Sequence, residues 1–258
     1  EKGVARFILK MLEKISCKNS TSIECVCNSN LRLGVQEKIF PVNKATVVWN
    51  GSTGGVDLKK FDCNKRERWR TEIRKELDIS EKDILFGFAG RITKDKGINE
   101  LIQAFLELKN ESKLLLIGPP EGINTLDTKL WNWAKENESV LIHDAVSDIE
   151  RYFAAMDVLI LPSYREGFGN VIIEAAAMGT TAICTNIQGP SDIIVDSTTG
   201  LLCNVKDANS LLECMKTVLK NQYYKELGSN AENYVKNNYD NTILCEKILE
   251  RKRVLLES

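Results

Sequence analysis

The chain has 258 residues, with 35 Lys and Arg against 36 Asp and Glu and a formal charge of −1. At 43% hydrophobic and 28% charged residues its composition is globular, which excludes a disordered or low-complexity chain. Near-zero net charge argues against a general nucleic-acid binder, and apolar runs such as Val158-Leu159-Ile160-Leu161 fall far short of the roughly 18 residues a spanning helix needs.

Taken in chain order, residues 2–17 predict an amphipathic helix. Val4, Phe7, Ile8, Met11, Leu12 and Ile15 repeat at helical spacing, and Lys2, Arg6, Lys10, Lys14 and Lys18 fill the other side. Its apolar stripe is expected to pack on protein; docking on anionic lipid is the alternative. The stretch is no signal peptide, since Lys10 breaks the apolar run. A short strand is expected at 22–27, a helix near 30–38 and a strand at 45–49. The Gly-rich segment 50–55 then reads as a domain boundary. Segment 59–75 carries eight basic and three acidic residues, with Arg66, Arg70 and Arg74 opposite Trp69, Ile73 and Leu77. That basic side is expected to be solvated.

Strands and helices alternate beyond this point. Strands are predicted at 84–89, 113–117, 139–143, 158–161 and 180–184. Helices are predicted at 98–108, 126–137 and 170–178, and from a capping box at Ser147-Asp148-Ile149-Glu150 to about Ala155. Helices at 207–220, 222–237 and 240–256 close the chain. Short apolar strands alternating with helices imply an α/β fold, a Rossmann-like parallel sheet with helices on both faces. Ligands in such folds bind beyond the carboxyl ends of the strands. The chemistry is therefore sought in segments 90–97, 118–122, 163–170 and 185–191.

Eight cysteines without a C-x-x-C pair read as free thiols in a reducing, cytoplasmic setting. The single histidine, His143, excludes a His-rich zinc site and is read as structural. In segment 90–97, Gly90 allows close backbone approach, and Arg91 and Lys96 could meet phosphate oxygens as readily as solvent. Segment 163–170 is stronger. Glu166 follows a strand, Gly167 and Gly169 allow a tight turn, and a helix begins near Asn170, whose first N–H groups form an anion site. Glu174 lies about one turn into that helix. A carboxylate there would repel an anion and suits the hydroxyls of a ribose.

These residues stand in F-A-G-R…K-D-K-G, then D-V-L-I-L-P-S-Y-R-E-G-F-G-N-V-I-I-E-A-A-A-M-G, then N-I-Q-G-P-S-D-I-I-V-D-S-T-T-G-L-L. The set resembles the donor-binding half of retaining glycosyltransferases of the GT-B fold, the group 1 or family 4 type, over roughly residues 45–240. Glu166 and Glu174 resemble that family's pair of glutamates eight residues apart. The resemblance implies that Arg91 and Lys96 are fixed cations for the donor diphosphate, with Gly90 beside them. It implies that the amides of Phe168, Gly169, Asn170 and Val171 hold the distal phosphate, that Glu174 binds the ribose, and that Glu166 contacts the sugar. Ile117, Gly118 and the stretch near Val146 would frame the base. No metal and no other cofactor is implied, in keeping with the lack of a D-x-D motif.

The implied organisation is a remnant of an N-terminal acceptor domain at 1–50, a donor domain at 51–240, and a C-terminal helix at 241–258 packing back on the N-terminal part. The chain lacks an initiator Met, so the rest of an acceptor domain is expected to precede it. The implied activity is transfer of a sugar from a nucleotide-sugar, UDP-linked by expectation, to a glycan or lipid-linked acceptor in capsule or O-antigen-type synthesis. The place of action is the cytoplasm, with peripheral contact at the inner face of the membrane. The rivals are a non-catalytic nucleotide-sugar-binding module that needs a partner domain, and a GT-B sugar-nucleotide epimerase. An NAD-binding fold is disfavoured because no G-x-G-x-x-G occurs.

Overall fold

The computed structural model describes residues 3–108 and 112–257. Helices α1 (Val4–Asn19) and α2 (Asn28–Gln36) flank the short strand β1 (Ile23–Glu24), which pairs in parallel with β2 (Ala45–Thr46). Both strands are shorter than the predicted 22–27 and 45–49. Lys2 of the predicted first helix and Ser258 of the last predicted segment lie outside the described residues.

Helix α3 (Arg66–Glu76) leads into the main unit. Its strands are β3 (Ile84–Ala89), β4 (Ser112–Ile117), β5 (Val140–His143), β6 (Val158–Leu161), β7 (Thr181–Thr185) and β8 (Gly200–Cys203). They form a parallel sheet in the order β5-β4-β3-β6-β7-β8. The order reverses direction between β3 and β6, so the switch point that such sheets use for ligands lies between their carboxyl ends. All of Val158 to Leu161 are buried, which is why β6 reads as an unbroken apolar run instead of an alternating one.

The helices α4 (Ile98–Glu107), α5 (Thr128–Glu136), α6 (Ile149–Ala155), α7 (Asn170–Ala177), α8 (Pro190–Ile193), α9 (Ala208–Leu219), α10 (Tyr223–Asn238) and α11 (Asn241–Glu257) complete the chain. Helix α3 packs on α6, α7 on α10, and α4 on both α5 and α9. Helix α11 reaches the first strand pair through Arg251, which donates to Ser22 Oγ at 2.6 Å and lies 3.5 Å from Glu24.

Three expectations need correction. Strand β8 and helix α8 were absent from the sequence reading. The capping box at 147–150 does not form: Asp148 is the N-cap residue without a capping bond, because its carboxylate accepts from Arg151 at 2.9 Å. The basic side of α3 is not solvated. Arg74 is 1% exposed and donates to Asp157 Oδ2 at 2.7 Å, while Arg70 meets Asp157 Oδ1 at 3.0 Å. The apolar stripe of α1 lies open within this chain, with Phe7 66% and Leu12 57% exposed, while Arg6 and Lys10 on the polar side pair with Glu37, so it packs on none of the described residues and lipid or further protein stays open as its partner.

Candidate functional site

The strand ends at the switch point are laced together by main-chain bonds. Gly118 N–H donates to His143 O at 3.0 Å, and Gly90 N–H donates to Ile117 O at 2.9 Å. Gly118, at φ 139°, lies so close to the next loop that a Cβ would sit 2.0 Å from Gly90 O. Gly118→Ala is therefore expected to lower stability by about 1–3 kcal/mol, read from the urea midpoint, because the backbone must move. An unchanged midpoint would contradict the close approach. His143 ends β5 and its ring lies 5.5 Å from Tyr152. Val146 packs against the core beside it.

The loops after β3 and β6 meet. Tyr164 N–H donates to Asp95 O at 2.8 Å, which brings the turn Lys94–Lys96 beside the segment after Leu161. Across this junction Lys96 Nζ reaches Glu166 Oε1 at 2.7 Å, and Ser163 Oγ donates to the same oxygen at 2.7 Å. Lys96 and Glu166 are thus held, at 19% and 13% side-chain exposure. Arg91 is not. Its side chain is 55% exposed and its nearest acid is Glu121 at 3.7 Å. Of the two cations expected to be fixed, the fold fixes only Lys96.

Helix α7 starts at Asn170 behind Gly169, whose φ of 102° suits glycine and turns the chain sharply into the helix. The N–H groups of Phe168, Gly169, Asn170 and Val171 have no hydrogen-bond partner among the described residues, whereas Ile172 N–H donates to Gly169 O at 2.9 Å. Four adjacent free donors and the positive end of a helix dipole make a place for an anion. Phe168 is buried and meets the Tyr239 ring edge-on at 5.8 Å, which anchors the loop from below.

Residues from the first fifty-odd positions hold this loop from the other side. Asn30 Nδ2 donates to Gly167 O at 2.8 Å and Asn170 Nδ2 donates to Thr53 Oγ1 at 2.6 Å. Ser29 Oγ accepts from Gly189 N–H at 3.2 Å, and a Cβ on Gly189 would sit 2.8 Å from Phe168 O, so segment 185–191 packs against this loop at Gly189. Sequence reasoning missed Asn30, Thr53 and Ser163. The hydroxyls beside the glycines of 50–55 were the available signal for Thr53.

Glu174 is half-buried on α7, and its carboxylate makes no hydrogen bond among the described residues. Burial pushes its pKa above the ordinary carboxylate value, against a smaller opposing pull from Lys60. A carboxyl raised in the folded state costs nothing where it is protonated both folded and unfolded, and its cost builds up as pH rises through the unfolded value and is complete above the folded one. Glu174→Gln is therefore expected to resist urea better than the wild type near pH 7 and to lose that advantage below about pH 4. A variant less stable at neutral pH would contradict this.

A parallel sheet that reverses direction between β3 and β6, with a held lysine–glutamate pair beside free amides, is a layout for binding a phosphorylated ligand at the strand ends. The family model "Glycosyl transferases group 1" matches residues 70–239, and the chain belongs to that family. It is 32% identical over 253 residues to the capsular polysaccharide biosynthesis glycosyltransferase CapM of Staphylococcus aureus, covering 96% of this chain and 65% of CapM. It is 28% identical over 255 residues to the N,N'-diacetylbacillosaminyl-diphospho-undecaprenol alpha-1,3-N-acetylgalactosaminyltransferase of Campylobacter jejuni, covering 96% of this chain and 64% of that enzyme. Among solved structures, Anabaena HepE in complex with UDP and glucose superposes with a TM-score of 0.83 at 18% identity, over 95% of this chain and 66% of HepE. The chain thus spans just under two thirds of the length of these relatives. The neighbours share the GT-B fold, with helices on both faces of the parallel sheet.

Proposed function

We propose that this chain binds a nucleotide-sugar and forms the donor side of a retaining glycosyltransferase that delivers a hexose to a glycan or lipid-linked acceptor. The observation that carries the reading is the Lys96–Glu166 pair beside the free amides of Phe168 to Val171, with Glu174 one turn deeper. In this reading the amides and Lys96 take the diphosphate. Departure of a nucleoside diphosphate builds negative charge, and preorganised donors stabilise that charge most. Arg91 swings in from solvent to add a second cation. Glu174 accepts hydrogen bonds from the ribose, and Glu166 faces the sugar, where positive charge develops at the anomeric carbon. No metal is needed in this scheme.

Residues 51–240 form the donor domain, residues 1–50 belong to the acceptor side, and 241–258 tie back to it, as the Arg251 contact with Ser22 favours. UDP is the first nucleotide to test, because the Anabaena neighbour is described with UDP and glucose. A lipid diphosphate is the acceptor class to test, because the Campylobacter relative is named for one. Such an acceptor would place the work at the cytoplasmic face of the membrane. Among the described residues no helix is long and apolar enough to cross it.

Calorimetry against UDP-, GDP- and ADP-sugars, with and without EDTA, tests the reading. Binding of one nucleotide series is expected, unchanged by EDTA and weakened in Glu174→Ala and Arg91→Ala. Unchanged binding in both variants would sink the site.

A further inference from the structure

The two oxygens of Glu166 have different surroundings. Oε1 accepts from Lys96 Nζ and from Ser163 Oγ, each at 2.7 Å. Oε2 accepts from no group among the described residues, and it is not sealed from solvent. The carboxylate is therefore clamped on one oxygen and free on the other.

Ser163 is itself rigidly held. It is 0% exposed, and its carbonyl accepts from the buried Thr185 Oγ1 at 2.6 Å. The next residue is fixed twice, by Tyr164 N–H to Asp95 O at 2.8 Å and by Tyr164 O–H to Glu100 Oε1 at 2.7 Å. The Ser163 hydroxyl on this held backbone donates to Glu166 Oε1. A lysine alone would leave the carboxylate free to rotate about the contact, because an ammonium is a point charge with rotatable donors. A second donor of fixed direction on the same oxygen removes that freedom.

The geometry points to Ser163 as a positioning residue that aims Glu166 Oε2 at a hydroxyl of the donor sugar. This rests on the proposed nucleotide-sugar binding. Thr185, which fixes the Ser163 backbone, belongs to the same arrangement. Ser163 is fully buried, so nucleotide binding should not depend on it, whereas the gain from adding the sugar should.

The test is the affinity of the whole chain for UDP, UDP-glucose and UDP-N-acetylgalactosamine in wild type, Ser163→Ala, Glu166→Ala and the double variant. Ser163→Ala is expected to leave UDP affinity within about 2-fold and to cut the gain from the sugar by ~3–10-fold, the span of one hydrogen bond. In the Glu166→Ala background the same change is expected to add less than about 2-fold, since coupled residues are not additive. Ser163→Thr, which keeps the hydroxyl, should restore the gain; if the extra methyl prevents folding, Ser163→Cys, a weaker donor, should restore part of it. An equal loss in both backgrounds, or a matching loss of UDP affinity, overturns the proposal without overturning the functional reading. A wild type that gains nothing from either sugar over UDP also overturns it. A wild type that binds neither UDP nor its sugars overturns the functional reading itself.

Discussion

Asp157→Ala is expected to lower stability by about 3–5 kcal/mol, because it strands buried positive charge. Asp157 opens β6 at the amino end of the sheet, far along the strand from the site. One oxygen takes Arg74 Nη2 at 2.7 Å and Leu85 N–H at 2.8 Å, and the other takes Arg70 at 3.0 Å. Arg74 also donates to Ala155 O, Ser80 O and Asp83 O. One carboxylate therefore joins α3, the end of α6, and the two central strands. Its loss leaves two guanidinium groups side by side, one of them 1% exposed, and an unpaired N–H in β3. Arg74→Met should cost less, because Asp157 keeps Arg70 and the Leu85 amide. Urea midpoints of the two variants check this order, and an Asp157→Ala loss below about 1 kcal/mol would contradict the account.

Lys96→Ala is expected to weaken UDP binding by ~10–100-fold, the scale of a charge-assisted hydrogen bond. In a transfer assay the loss should reach ~10²–10³-fold, since in the proposed site the lysine would face charge that grows as the diphosphate leaves. Two causes act together. In the proposed site a donor to the phosphate is lost, and Glu166, 13% exposed, is left beside an anion with only Ser163 to hold it. Removing Glu166 as well should therefore recover part of the UDP affinity. Arg91→Ala should cost only a few-fold, because an exposed, loosely paired cation contributes little. Calorimetry at fixed ionic strength separates these outcomes, and a Lys96→Ala chain that binds UDP like the wild type would contradict the site.

Much of this architecture was legible in the sequence. Strands β3 and β6 match to the residue, because each apolar run follows an aspartate and ends before a glycine or a proline. Glu166 and Glu174 were placed correctly on the loop and helix, because G-F-G punctuates the chain between them. Strand β8 was missed because its apolar content is short and its stability comes from β7, with Gly200 close enough that a Cβ would sit 2.4 Å from Ala182 O. The Lys96–Glu166 pair spans 70 positions and exists because β3 and β6 are neighbours, which local spacing cannot reveal. Arg74 was misread for the same reason, its partner arriving from 83 positions away.

The contact between Gly118 and Gly90 O has a consequence for exchanging parts among relatives. The loop after β4 and the loop that carries Arg91 fit together as a key fits one lock. A graft that replaces 118–122 alone is expected to displace the loop that follows β3 unless both loops are transplanted together. Chimeras cut between them should fail, and chimeras cut outside both should keep a working cleft.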